Sequence, residues 1–97
     1  MGEKTIINKR ALNSINNFYK IISEKGYPER AKKFTEDLYN FAYELTPIAE
    51  SFSKCRHKNL AKKNFKCIPY KKNYIFIISV KDKLVTIHNI IPAKKIR

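Results

Sequence analysis

An α+β fold follows from three features of this 97-residue sequence. Apolar residues between Lys9 and Pro47 recur at helical spacing, while those between Phe65 and Ile91 are β-branched or aromatic and fall in short runs. The helical and strand-like stretches are segregated along the chain and do not alternate, which separates α+β from α/β organisation. The length suits a single domain over residues 1–97. With 43% hydrophobic residues, two Gly and four Pro, compact structure is expected nearly end to end.

Residues 3–8, with Ile6 and Ile7, read as a short first strand. From Lys9, the residues Ala11, Leu12, Ile15, Phe18, Tyr19 and Ile22 follow i, i+3/i+4 spacing up to Gly26, a residue suited to end a helix with positive φ. Pro28 and Glu29 open a second helix, since proline gives up no hydrogen bond in a first turn. Ala31, Phe34, Leu38, Phe41, Ala42 and Leu45 form its stripe, and Pro47 closes it. The short link around Gly26 makes the pair an antiparallel hairpin. Phe34, Leu38, Phe41 and Leu45 are expected in the core. Tyr39 and Tyr43, on another face, suit a protein contact or the hairpin's own flank. Residues 51–64 are polar, basic and aperiodic, and read as a long loop with room for a helical turn. Residues 65–70 begin the β half. Residues 74–80 are apolar on both faces, as a central strand should be. Lys81-Asp82-Lys83 is a tight turn into a strand over residues 84–91, and Pro92 is expected to end its pairing. The expected architecture is an N-terminal strand and two-helix hairpin packed on a mainly antiparallel sheet of three to four strands.

Charge divides the chain in two. Residues 1–50 carry eight Lys/Arg against seven Asp/Glu, a net of +1, whereas residues 51–97 carry thirteen against Asp82 alone, a net of +12. A chain merely rich in lysine would be basic throughout. This asymmetry points to an acidic protein or a polyanion as partner. The N-terminus lacks the apolar stretch of a signal peptide, Ile6 stands where a myristoylation signal needs Ser or Thr, and the apolar run over residues 75–78 is too short to span a bilayer. The expected address is the cytoplasm, with no membrane partner, where Cys55 and Cys67 would be buried reduced thiols.

This order of elements, with its particular residues, resembles the RelE/ParE superfamily of type II toxins along nearly the whole chain. The first helix resembles family members through Ala11-Leu12-Asn13-Ser14-Ile15-Asn16-Asn17-Phe18-Tyr19. The second does so through Pro28-Glu29-Arg30-Ala31-Lys32-Lys33-Phe34 and the closing Leu45-Thr46-Pro47. The strands are similar through Asn64-Phe65-Lys66-Cys67, Asn73-Tyr74-Ile75-Phe76-Ile77-Ile78 and Leu84-Val85-Thr86-Ile87-His88-Asn89-Ile90-Ile91. No one of these motifs is specific; their order is. The resemblance implies the growth-inhibiting toxin of a toxin–antitoxin module, such as those that stabilise plasmids. Its partner would be a cognate acidic antitoxin, in a toxin–antitoxin hetero-oligomer. Its target would be DNA gyrase if the chain is ParE-like, or the ribosome and its mRNA if it is RelE-like. Many members read His-x-x-Arg after the last strand, whereas this chain has Pro92-Ala93-Lys94-Lys95. Losing that imidazole weighs against nuclease chemistry and toward the ParE-like branch, which needs no catalytic set.

The candidate binding surface comprises Lys54, Arg56, Lys58, Lys62, Lys63, Lys66, Lys71, Lys72, Lys94, Lys95 and Arg97, with Phe65 and Tyr70 interleaved to stack on bases. The bland alternative is a solvated basic face. Should the chain be a metal-free ribonuclease, Lys66, Tyr70, Tyr74, Lys94 and Lys95 would gather on one sheet face, with His57 entering from the loop. Otherwise the two tyrosines pack in the core. Cys55, His57, Cys67 and His88 lack the paired spacing of a zinc site and any orienting group for Cys–His catalysis, so neither metal nor cofactor is expected. A third reading is a small non-toxic nucleic-acid-binding module.

Overall fold

The computed structural model describes residues 4–56 and 58–96. Strand β1 (Lys4–Ile7) leads into helix α1 (Lys9–Glu24) and helix α2 (Pro28–Leu45). A 3-10 turn (Thr46–Ser51), the short helix α3 (Lys58–Lys62) and strands β2 (Lys66–Tyr70), β3 (Tyr74–Lys81) and β4 (Leu84–Pro92) follow, and a 3-10 turn (Ala93–Ile96) ends the order. The sheet runs β1-β4-β3-β2, with β1 parallel to β4 and the other pairs antiparallel.

Local chemistry sets the helix ends. The Asn8 side chain accepts from the Ala11 N–H at 3.1 Å and caps α1. At the other end Gly26 takes φ +93°, Gly26 N–H reaches the Ser23 carbonyl and Tyr27 N–H reaches that of Ile22. This is the double bond of a Schellman motif, and it reverses the chain into α2, where Pro28 occupies the first turn. Ala11, Ala31 and Ala42 are buried in the helices, small enough to let them approach. Ile15, Leu38 and Leu45 join Ile68, Phe76, Ile78, Val85, Ile87 and Ile90 of the sheet in one core. Phe34 and Phe41 are half-buried against it, and so is Tyr39, which therefore belongs to packing; Tyr43 alone of that pair is exposed, at 59%.

The period-2 pattern of β4 breaks once. Ile77 pairs with Asn89 but Ile78 with Ile87, so His88 is the extra residue of a bulge, and the inward positions shift from Val85 and Ile87 to Ile90. Asn89 Oδ1 accepts from the Ile90 N–H at 2.8 Å and from Ser14 Oγ of α1 at 2.6 Å, which stitches the bulge to the helix.

The helical turn allowed for within residues 51–64 is α3, set between the end of a 3-10 turn and β2 with a Lys54–Lys66 bridge to the edge of β2. Two expectations are corrected. β4 runs through Pro92, which pairs with Tyr74. β1 pairs only as far as Ile87, so no strand on that side needs the N–H that Pro92 lacks. Cys55 and Cys67 are not free thiols but a disulfide: the bridge sets their Cα atoms 4.7 Å apart, within bonding reach, across a sequence separation of 12.

Candidate functional site: a lysine-rimmed cleft at the C-terminal corner

The end of α1, the turn between β2 and β3 and the residues after β4 enclose a cleft of about 510 Å³. Phe18, Ile21, Ile22, Tyr74 and Pro92 supply apolar lining, Lys25, Lys72 and Lys94 supply charge, and among the described residues no acidic one lines it. Each contribution has a local cause. Tyr74 is clamped by edge-on contacts to Phe18 (5.3 Å) and a tilted contact to Phe34 (5.1 Å). Lys25 caps α1 at the negative end of its dipole, where a cation is favoured. The Ala93 N–H donates to the Asn73 carbonyl at 2.8 Å and ties the C-terminal corner to the turn.

The turn itself is unusual in sequence. Lys71 and Lys72 take φ of +50° and +67° in the three residues between Tyr70 and Tyr74, a conformation natural to Gly or Asn and costly for lysine. Such strain gathers at working sites. Lys71 leans over the Tyr70 ring at 5.4 Å and reaches Asp37 at 3.8 Å, so its charge is partly answered within the fold. Lys72 lines the cleft instead.

The sequence candidates separate into two groups. Lys71, Lys72 and Lys94 lie at the Tyr70–Tyr74 end of the sheet, and the backbone of Lys95 follows in the last 3-10 turn. Lys54, Arg56, Lys58, Lys62 and Lys63 are exposed on the segment bridged to Lys66, at the opposite end of β2, about 13 Å away along the strand. Arg97 and His57 lie outside the described residues. Lys66 sits on the inward side with Ile68, and its Nζ donates to the carbonyls of Glu50 (3.0 Å) and Phe52. Tyr70 is 6% exposed and packs on Phe41 and Phe76. Among the described residues that a ribonuclease reading would gather, Tyr74 and Lys94 line the cleft together, whereas Lys66 and Tyr70 do not. The roles of Lys25 and the α1 floor were not visible in sequence. Helical periodicity marks Phe18 and Ile22 as core, and nothing local says that the end of α1 meets the C-terminus.

A second polar cluster lies around the bulge. His88 Nε2 is 2.7 Å from Ser79 Oγ, its Nδ1 is 3.4 Å from Asn8 Nδ2, and its ring stacks on Phe65 at 4.4 Å. The grouping looks like a nucleophile, a base and an orienting group, but its protons are wrong for that. Asn8 Oδ1 is committed to capping α1, so Nδ2 faces His88 and Nδ1 must accept. Nε2 then carries the hydrogen and donates to Ser79, so it cannot take the serine proton. Desolvation by burial lowers the imidazole pKa from its usual 6.5, which keeps it neutral. This cluster is a fastener.

No protein-family model matches the chain, and no curated protein matches it. Among solved structures, a chain of the chromosomal ParDE TA system from P. aeruginosa superposes with a TM-score of 0.75 at 16% identity, over 93% of this chain and 95% of that one. At that identity the likeness is one of fold: the α+β architecture with its four-stranded mixed sheet is shared nearly end to end.

Proposed function

We propose that this chain is the toxin of a type II toxin–antitoxin module, acting in the cytoplasm by gripping a protein target rather than by cutting RNA. The observation that carries the proposal is the C-terminal cleft, an apolar floor rimmed by Lys25, Lys72 and Lys94, on a fold shared with a ParDE chain. In the ParE-like reading the target is DNA gyrase, met through the helical hairpin and this corner. The exposed rings of Tyr19, Tyr27 and Tyr43 on the hairpin suit such contact. The cationic half suits an antitoxin whose acidic, initially disordered tail folds on binding. Cleavage of mRNA is less well supported, because Lys66 is spent on backbone carbonyls and Tyr70 is packed in the core.

Inducible expression without antitoxin, with new DNA and new protein labelled separately, tests the reading. Gyrase inhibition stops DNA synthesis first and leaves broken DNA. A prior stop in protein synthesis would replace gyrase with the ribosome, and undisturbed growth would overturn the toxin reading in favour of a simple nucleic-acid binder. Pro92→His probes the same corner: a variant that gains RNA cleavage would reveal an eroded ribonuclease scaffold.

A further inference from the structure

The eleven residues between Cys55 and Cys67 are dense in positive charge. Arg56, Lys58, Lys62, Lys63 and Lys66 fall among them and no acid does. Apart from the disulfide, the segment's ties are noncovalent and few among the described residues: the Lys54–Lys66 bridge to β2, the Cys55 N–H donating to the Phe65 carbonyl at 2.9 Å, the stack of Phe65 on His88, and Lys66 Nζ on the Glu50 and Phe52 carbonyls. Its internal order is one short helix, closed by the Phe65 and Lys63 N–H groups on the Leu60 carbonyl. The sulfur–sulfur bond is thus the strongest tie between the basic segment and the sheet.

We propose that Cys55–Cys67 is a thiol–disulfide exchange site, through which a small-molecule or protein dithiol sets whether the cationic segment is pinned or released. The two cysteines differ in exposure. Cys55 is 4% exposed, while Cys67, on the edge strand, is partly open. The attacking thiolate therefore takes the Cys67 sulfur, forms a mixed disulfide there and expels Cys55 as a thiolate, which then gains a proton. The second thiol of the reductant then displaces Cys67. In sum, two electrons and two protons pass from the dithiol to the protein, and the dithiol becomes a disulfide. The pinned form presents its cations pre-arranged, whereas the released form must order them on binding. Reduction therefore weakens capture of an acidic chain, and by linkage a bound acidic chain protects the disulfide by the same factor. The inference concerns this segment and holds whether or not the protein is a toxin.

The test uses the full oxidised chain in native buffer with dithiothreitol, with alkylation to count thiols, amide hydrogen exchange to follow order, and polyglutamate as the acidic probe. The expected result is two alkylatable thiols without denaturant, restored to a disulfide on reoxidation. Exchange should quicken over residues 54–66 but not in β3 and β4, and polyglutamate affinity should fall about 5- to 150-fold. Saturating polyglutamate should raise the reductant needed by the same ratio. Cys55→Ser/Cys67→Ser should reproduce the released state; should that variant fold poorly, reduction of the native chain still decides. Thiols that appear only in denaturant, unchanged exchange over 54–66, or loss of β3 and β4 on reduction would each overturn the proposal and leave a purely structural crosslink.

Discussion

At the C-terminal corner, Lys25, Lys72 and Lys94 ride on elements that the core already holds, whereas the cations of residues 54–66 ride on a segment tied to the sheet by a β-bridge, the stack of Phe65 on His88 and one disulfide. The corner owes its shape to aromatic packing, with Tyr74 set between Phe18 and Phe34. The segment owes its place to a covalent bond that chemistry can open. Two regions of the same charge therefore differ in what positions it. One is permanent and the other conditional.

Tyr74→Ala should test that contrast hardest. It removes the ring beneath the cleft and should cost about 3 kcal/mol in denaturant unfolding, with growth inhibition lost beyond what the lowered stability explains. Cys55→Ser/Cys67→Ser should cost about 2–3 kcal/mol on the chain-entropy view of a loop this short, while the cleft stays formed. If hydrogen exchange showed the cleft loosening too, the two regions would be one cooperative unit.

A smaller effect of opposite sign is expected at the hairpin. Asp82 and Lys83 take φ of +52° and +66° in the two-residue turn between β3 and β4, the geometry of a type I′ turn, which favours glycine at its second position. Lys83→Gly should raise stability by about 0.5–1 kcal/mol in thermal unfolding. Equal gains from Lys72→Gly, with a loss of target binding, would show that strain is carried at the corner for its charge.

The pH dependence bears on the conditional region, since His88 stacks on the Phe65 that closes it. The folded pKa of His88 lies below the unfolded 6.5. The unfolded chain therefore takes up the proton first as pH falls. Stability from this residue is complete above pH 6.5 and is lost progressively from there down to the folded pKa. Melting temperatures recorded at intervals from pH 7.5 to about 5 should show that decline, and His88→Gln should flatten it. The smallest stability effect is expected for Lys94→Ala/Lys95→Ala, within about 0.5 kcal/mol, although the pair should abolish toxicity. Full toxicity and full antitoxin affinity in that variant would exclude the corner and turn attention to residues 54–66.

Sequence by itself determined the elements whose signals are local. The stripe from Ala31 to Leu45 could only be a helix with one buried face, Gly26 followed by Pro28 could only reverse the chain, and residues 74–80 were apolar on both sides as an interior strand must be. The divided charge was equally plain, because it depends on composition alone. What only tertiary structure decided depends on neighbours far apart in the chain. The parallel pairing of β1 with β4, the bulge at His88 and the meeting of Lys25 with Lys94 join residues tens of positions apart, and no local spacing encodes them. The disulfide is the clearest case. A sequence separation of 12 parts Cys55 from Cys67, across residues whose aperiodic sequence gives nothing to measure by, and the bridge of Lys54 to Lys66 brings the two cysteines together.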